Sequence, residues 1–580
     1  MLYYTPSMLR YCLKLIFPLI LSLFLNPQPL KAFYNPQEVP NNQYGIHLAD
    51  TNDLPEVATL VNSQGGDWGY VTVVMQENDR SLGKWQGLFN QMRRNHLIPL
   101  VRLATRPQED YWLKPTPESA KDWANFLNQL NWPVENRYVI IFNEPNHAKE
   151  WGNNLDPAGY AKLLRIFAEE LKKASEDFFI LPAGLDASAA SDGIALDEAT
   201  FLEEMLSAEP DLFKLIDGWT SHAYPNPGFS GAPYAWGRGT LHTYQWELSY
   251  LRNLGLNKNL PVFITETGWQ HSYGKSYNFR LLSPEVVAGY FTVAGSIWSD
   301  PQIIAVTPFI FNYQDYPFDH FSFRRLASND FYTHYYAYQN LPKKAGFPLQ
   351  KELYVLKSPL VPGQLVTGST YTLKTTLENQ GQGILDPDEY KIEFSAVKGL
   401  FQAVSDPLVY TEPGESSSLI MHLMTPDQAG QYSYSLYFKH KDRQLVIQEG
   451  VLTLVPPPAI SLSVKLGWRK TSTTHEATVL VYDEEDLLLH KFPNVMIENG
   501  RAKLEGLRDI VPGNQYRVVI VVPNYLPRQV ILPLSSTLTE VVVKRMLPLD
   551  FNGDGRLSLA DLTTMLRTPP RKILPLIFGP

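Results

Sequence analysis

Between Tyr44 and about Tyr313, short apolar runs alternate with amphipathic stretches eight times, and this limits the fold more than any other feature of the chain. Read as strands, the runs are residues 44–49, 70–75, 98–103, 138–142, 178–183, 218–223, 261–265 and 303–311. The stretches between them read as helices. Residues 117–130 and 157–174 both begin with Pro in the first turn, where its missing N–H has no intrahelical partner to lose. Strands alternating with helices imply parallel strands joined by right-handed crossovers. Eight such repeats in about 270 residues match a closed (β/α)8 barrel. An open doubly wound sheet would carry a Gly-rich phosphate-binding turn after its first strand, and none follows residue 49.

Beyond Leu341-Pro342-Lys343-Lys344 the period changes to the twofold alternation of half-buried strands. Residues 370–377, 390–394 and 432–439 are the clearest, and the segment 346–455 reads as an Ig-like β-sandwich. Pro456-Pro457-Pro458 makes a stiff linker. A second small sandwich, 459–546, has strands at 476–482, 515–522 and 540–544, and 547–580 forms a loop and tail. The turn Pro512-Gly513-Asn514-Gln515-Tyr516 and the strand after it resemble transthyretin-like sandwiches. Neither sandwich shows an acid–base cluster, and either binding glycan or spacing the barrel from a surface would suit them.

Arg10 and Lys14 lead into an apolar stretch, residues 15–25, which ends in a Pro-broken segment at Lys31-Ala32. Its length falls short of the roughly 20 residues that span a bilayer and suits the core of a signal peptide. Residues 1–32 are therefore expected to be a leader cleaved after Ala32, or else an N-terminal anchor, with the protein secreted or at the cell surface as in bacterial export. The single cysteine, Cys12, lies in this segment, so a cleaved chain would hold no disulfide. A net charge of −9 without a long basic run argues against nucleic acid as the main partner.

Reactive groups of a (β/α)8 barrel stand at the C-terminal ends of its strands. The fourth strand runs into Phe142-Asn143-Glu144-Pro145-Asn146 and the seventh into Thr265-Glu266-Thr267-Gly268-Trp269. Each delivers one carboxylate to the same rim, across the mouth from the other. Two carboxylates about 5–5.5 Å apart suit a retaining glycosidase, and about 6.5–9.5 Å an inverting one. The plain alternative is a helix-capping carboxylate at 144 and a turn residue at 266. A metal-dependent hydrolase would need a His/Asp cluster on the strand ends, and none is evident.

Asn143-Glu144-Pro145 and Glu266-Thr267-Gly268-Trp269 at those two positions resemble the retaining clan A glycoside hydrolases. The resemblance covers the barrel, residues 40–345. It implies hydrolysis of a poly- or oligosaccharide, with Glu144 as acid/base, Glu266 as nucleophile and Asn143 on the sugar 2-hydroxyl. Clan members commonly place a His and a Tyr at the end of strand six, matched here by His222 and Tyr224. Tyr224 would donate to the nucleophile, and His222 would hold a sugar hydroxyl or the acid. Arg102 would keep Glu266 ionised, although the clan more often supplies that Arg from strand two. His47 would line the cleft floor. Trp151, Trp269 and the pair Tyr234 and Trp236 are offered as flat surfaces for sugar rings. The Trp usual at the end of strand eight is absent from Pro308-Phe309-Ile310-Phe311, which leaves the sugar undefined. A barrel that binds carbohydrate without cleaving it is the rival reading, and no cofactor is called for in catalysis.

Residues 550–561 follow the spacing of a twelve-residue calcium loop. Asp550, Asn552 and Asp554 fill positions 1, 3 and 5, Gly555 makes the turn, Arg556 offers its carbonyl and Asp561 closes the loop. Asp at the last position resembles half of a dockerin. A full dockerin has two loops, so a structural Ca2+ cap is expected here rather than a cohesin partner.

Overall fold

The computed structural model describes residues 33–397, 399–468 and 473–578, and the expected leader with Cys12 lies outside them. Eight parallel strands are present: β1 (Gly45–Leu48), β2 (Gly69–Gln76), β3 (Leu97–Ala104), β4 (Arg137–Ile141), β5 (Phe178–Pro182), β6 (Trp219–His222), β7 (Val262–Glu266) and β8 (Ile303–Val306). Continuous pairing joins β1 to β5 in order and β6 to β8 in order. Two seams complete the ring. Tyr44 bridges Val306 in parallel, while the His47 amide donates to Pro308 and the Phe311 amide to His47. On the other side Asp186 bridges His222, and the Asp217 amide donates to the Ile180 carbonyl.

One helix follows each strand: α1 (Leu54–Val61), α2 (Leu82–Arg94), α3 (Ser119–Gln129), α4 (Pro157–Ala174), α5 (Glu198–Ala208), α6 (Thr243–Asn253), α7 (Pro284–Trp298) and α8 (Thr333–Gln339). α4 shows why. The Asp156 side chain accepts from the Gly159 amide at 2.8 Å, Pro157 fills the first turn, and Lys172 and Lys173 face the negative helix end. Tyr160, Leu163, Leu164, Phe167, Ala168 and Leu171 recur every three or four residues and bury one stripe against the strands.

Strand parity sorts the core into two layers. In β3, Leu97, Val101 and Leu103 belong to the strand–helix layer, while Ile98 and Leu100 belong to the inner cluster with Tyr138, Phe179 and Phe263. The same twofold period places Arg102 above Leu100 at the upper mouth. In β1, Ile46 and Leu48 face the helices, leaving His47 on the inner face.

A second compact unit begins at Glu352. Its first sandwich pairs the sheet of Tyr354–Leu356, Thr370–Asn379, Ser416–Met424 and Gln402–Ser405 with the sheet of Gln364–Val366, Arg443–Val455, Gly430–His440 and Tyr390–Ser395. The second has three strands against four, with Leu462, Val479, Val481, Val518 and Ile520 in its core. The Pro-rich linker is not the sole tie between them. The Thr370 amide donates to Asp509 at 2.8 Å and the Tyr371 hydroxyl to the Ile510 carbonyl at 2.9 Å. Helices at Leu559–Arg567 and Pro570–Phe578 follow the acidic loop. Among the described residues, no helix is long and apolar enough to cross a membrane.

Candidate active site

The C-terminal strand ends surround a cleft of about 1020 Å³. His47, Arg102, Asn143, Glu144, Tyr224 and Glu266 all line it. After β4 the chain turns sharply, with φ of 68° at Phe142 and 32° at Glu144. Positive φ is costly for a bulky side chain and persists only where the surroundings impose it. Here Phe142 is locked edge-on against Trp151 and Phe167, at 5.9 and 5.2 Å between ring centres. The Glu144 amide donates to the Gly184 carbonyl at 3.1 Å. A carboxylate is thereby turned into the cleft directly after a buried strand.

His222 is buried behind that carboxylate, its Nδ1 2.8 Å from Glu144 Oε1 and 3.8 Å from Glu266 Oε2. An oxygen of Glu144, an oxygen of Glu266 and a His222 ring nitrogen lie within 4.8 Å of one another. Gly184 makes room: a Cβ there would come within 2.2 Å of the His222 ring. Three such ligand atoms could in principle hold a metal ion. Both Glu266 oxygens are already engaged, however, Oε1 by the Arg102 guanidinium and Oε2 by the Tyr224 hydroxyl at 3.0 Å.

Burial by itself would raise the Glu266 pKa. His222 and Arg102, with the hydrogen bond from Tyr224, overcome that effect and bring it down to about 2. His222 moves the other way: burial lowers it, but the Glu266 charge and the bond to Glu144 leave it above its ordinary value. Burial and the Arg102 charge lower His47 to about 3, so its ring is neutral near pH 7. Neither His47 nitrogen has a hydrogen-bond partner among the described residues, and Nε2 stands 3.9 Å from Glu266 Oε1. Asn143 accepts from Arg102 Nη1 at 2.7 Å and donates from Nδ2 to Glu150 at 3.4 Å.

Four rings expected at the site are elsewhere. Trp151 is fully buried beneath the Phe142 turn, edge-on to Tyr160, with no face for a ligand. Trp269 is buried between Tyr290 and Phe291, and its Nε1 donates to the Gly231 carbonyl at 2.9 Å. Both rings stiffen loops, because the residues just beyond a strand end turn back into the helix layer. Tyr234 and Trp236 are exposed and do not line the cleft. Conversely, Trp112, Glu150, Phe309 and Phe318 line it without having been singled out in the sequence. Glu150 shows no motif, since only the folded loop brings it to Asn143. Trp112 sits on a two-strand hairpin, Pro107–Gln108 with Tyr111–Trp112, whose short run gives no clear period.

No protein-family model and no curated protein matches the chain. Among solved structures it is similar to a family 39 glycoside hydrolase from the gut symbiont Bacteroides cellulosilyticus WH2, at 16% identity over 67% of this chain and 82% of that one, with a TM-score of 0.37. It is also similar to a family 51 α-L-arabinofuranosidase from Bifidobacterium longum, at 9% identity over 81% and 95%, TM-score 0.35. An endo-1,4-β-mannanase from Eisenia fetida overlaps at 11% identity over 52% and 94%, TM-score 0.33. Overlaps this loose carry no function, which rests on the side chains described above.

Proposed function

We propose that the chain is an exported retaining glycoside hydrolase acting on a poly- or oligosaccharide, with Glu144 as acid/base and Glu266 as nucleophile. One observation carries the reading: two cleft carboxylates with oxygens within 4.8 Å, one of them held ionised by Arg102 and His222. Oxygens this close are compatible with the roughly 5–5.5 Å carboxyl separation of retaining pairs.

In the first step a Glu266 oxygen attacks the anomeric carbon while Glu144 transfers its proton to the departing glycosidic oxygen. At 2.8 Å, His222 Nδ1 and Glu144 Oε1 cannot face each other with lone pairs alone, so a proton lies between them. His222 thus fixes the orientation of the Glu144 carboxyl. Arg102 and Tyr224 orient the attacking carboxylate. Glu266 is neutral in the covalent intermediate, and Glu144, having given up its proton, is left as the carboxylate beside it. Glu144 then takes a proton from water, the hydroxide adds at the anomeric carbon, and the Glu266 carboxylate leaves. Asn143 and the free nitrogens of His47 are placed to hold sugar hydroxyls. Export rests on the N-terminal sequence.

A panel of aryl glycosides, with product configuration followed by proton NMR, tests this. Retention is expected. Inverted product, or full activity in Glu266→Ala, would sink the mechanism. No turnover on any glycoside, with sugar binding retained, would favour a carbohydrate-binding barrel instead.

We also infer a structural Ca2+ at the C-terminal loop. Carboxylate oxygens of Asp550, Asp554 and Asp561 lie within 4.8 Å of one another. Asp550 is buried, and its Oδ1 has no hydrogen-bond partner among the described residues, a cost that a cation would offset. Asn552 and the Arg556 carbonyl complete the oxygen donors the loop offers. Bound, the ion would tie the loop to the Leu559–Arg567 helix, whose Ser558/Asp561 capping box is formed. Calcium should raise the melting temperature of this unit, and no change up to millimolar calcium would refute the site.

A further inference from the structure

Aromatic rings continue from the cleft onto the rim. Phe309, at the end of β8, meets Phe318 edge-on at 5.1 Å, and both line the cleft. Pro317 beside Phe318 also lines it, and Tyr316 follows on the outer side. The neighbouring loop, closed by a His271–Leu282 bridge, is tied to this segment by Lys275, whose Nζ is 2.5 Å from Asp315 and whose amide donates to Asp319 at 2.5 Å. Flanking Lys275 are Tyr273 and Tyr277, edge-on at 5.3 Å.

Tyr273, Tyr277, Phe279 and Tyr316 are 52, 65, 78 and 80% exposed. Burying such rings would stabilise the fold, so a contiguous group left in water points to a ligand. The ligand's chemistry follows from the shape: flat rings with phenol hydroxyls match the C–H faces and hydroxyls of pyranose or furanose units. The same cleft includes Trp112 on the hairpin after β3. Glu144 and Glu266 stand on β4 and β7, within the arc that runs from β3 to β8. A sugar chain can therefore be held on both sides of the bond to be cut.

We propose that this rim is a binding surface for a polysaccharide chain leaving the cleft, and that the substrate is a polymer cleaved internally. The proposal rests on the glycosidase reading above, and its test separates the two. Wild-type protein is assayed on aryl glycosides and on xylan, galactomannan, mixed-linkage β-glucan and arabinan. One of these polymers should lose viscosity early and release oligomers. In Tyr277→Ala/Tyr316→Ala the ratio of kcat/KM on that polymer to kcat/KM on the aryl glycoside should fall at least tenfold, chiefly through KM. Retardation of Glu266→Gln in gels containing the polymer should weaken when the two rim substitutions are added. Turnover of aryl glycosides but of no polymer overturns this inference alone, as does an unchanged ratio. Turnover of neither overturns the glycosidase reading and this inference with it. An unchanged ratio accompanied by loss of self-association in sedimentation would assign the rings to a contact between copies.

Discussion

The barrel contains two pairs of glutamates, Glu144 with Glu266 at the mouth and Glu198 with Glu247 behind β6, and their surroundings push them in opposite directions. Glu198 opens α5 and Glu247 lies on α6, both fully buried. Trp219 donates to Glu247 Oε2 at 3.1 Å, while Glu198 has only the Glu247 carboxyl as a hydrogen-bond partner among the described residues. Burial, and for Glu198 the nearby Glu247, raises both carboxyls, so the pair is accommodated by holding a proton. Glu266 is almost as buried, yet Arg102 and His222 bring it down to about 2. Removal from water is common to both places. A cation in contact decides which carboxyl stays charged.

The largest break in this comparison comes from Glu266→Gln, which removes the charged partner of Arg102. Its kcat should fall on the order of 10⁴-fold or more, read on any substrate the wild type cleaves. Glu144→Gln should cost roughly 10²–10⁴-fold on substrates with a poor leaving group. The loss should shrink on activated aryl glycosides, which depart without a proton; equal losses on both would remove Glu144 as the acid.

Stability against pH separates the pairs further. A carboxyl depressed from 4.5 to about 2 contributes stability that is present above pH 4.5 and lost as pH falls toward 2. For Glu266 this is on the order of 3 kcal/mol. Urea unfolding of Glu266→Gln should therefore show lower stability at pH 7 and a shallower acid loss, the two curves converging near pH 2. Glu247→Gln should act with the opposite sign. Raised carboxyls bind more protons folded than unfolded, so their contribution declines as pH rises above 4.5. Its melting temperature should exceed the wild type's at pH 7 by a few degrees at most, the gap closing toward pH 4.5. A gap that widens in acid would contradict the shared proton.

Much of the barrel was legible because its signals are local. All eight strands fall within a few residues of their expected places, and α4 spans residues 157–174 as read. The carboxylates at 144 and 266 were legible for the same reason, each standing directly after an apolar run. Arg102, His47 and Tyr224 were singled out by their places on strands three, one and six and by the family resemblance, and the structure brings them to the cleft. The tryptophans were misread. A Trp next to a strand end has the same local signal whether its ring faces the cleft or the helix layer, and at 151 and 269 the helices cover it. Glu150 gave no signal, because its partner Asn143 is reached only through a folded loop.

By itself the sequence determined the alternating order of strands and helices, the change to paired strands beyond the barrel, and which two strand ends carry carboxylates. These depend on hydrophobic period and on neighbours along the chain. Only the tertiary structure decided that the carboxylates come within 4.8 Å, that Arg102 and His222 hold one of them ionised, and that Trp151 and Trp269 are packing residues. Those outcomes depend on distance and exclusion of water, and both arise between segments far apart in the sequence. The aromatic rim of Tyr273, Tyr277 and Tyr316 belongs with them, since exposure appears only once the remaining rings have been buried.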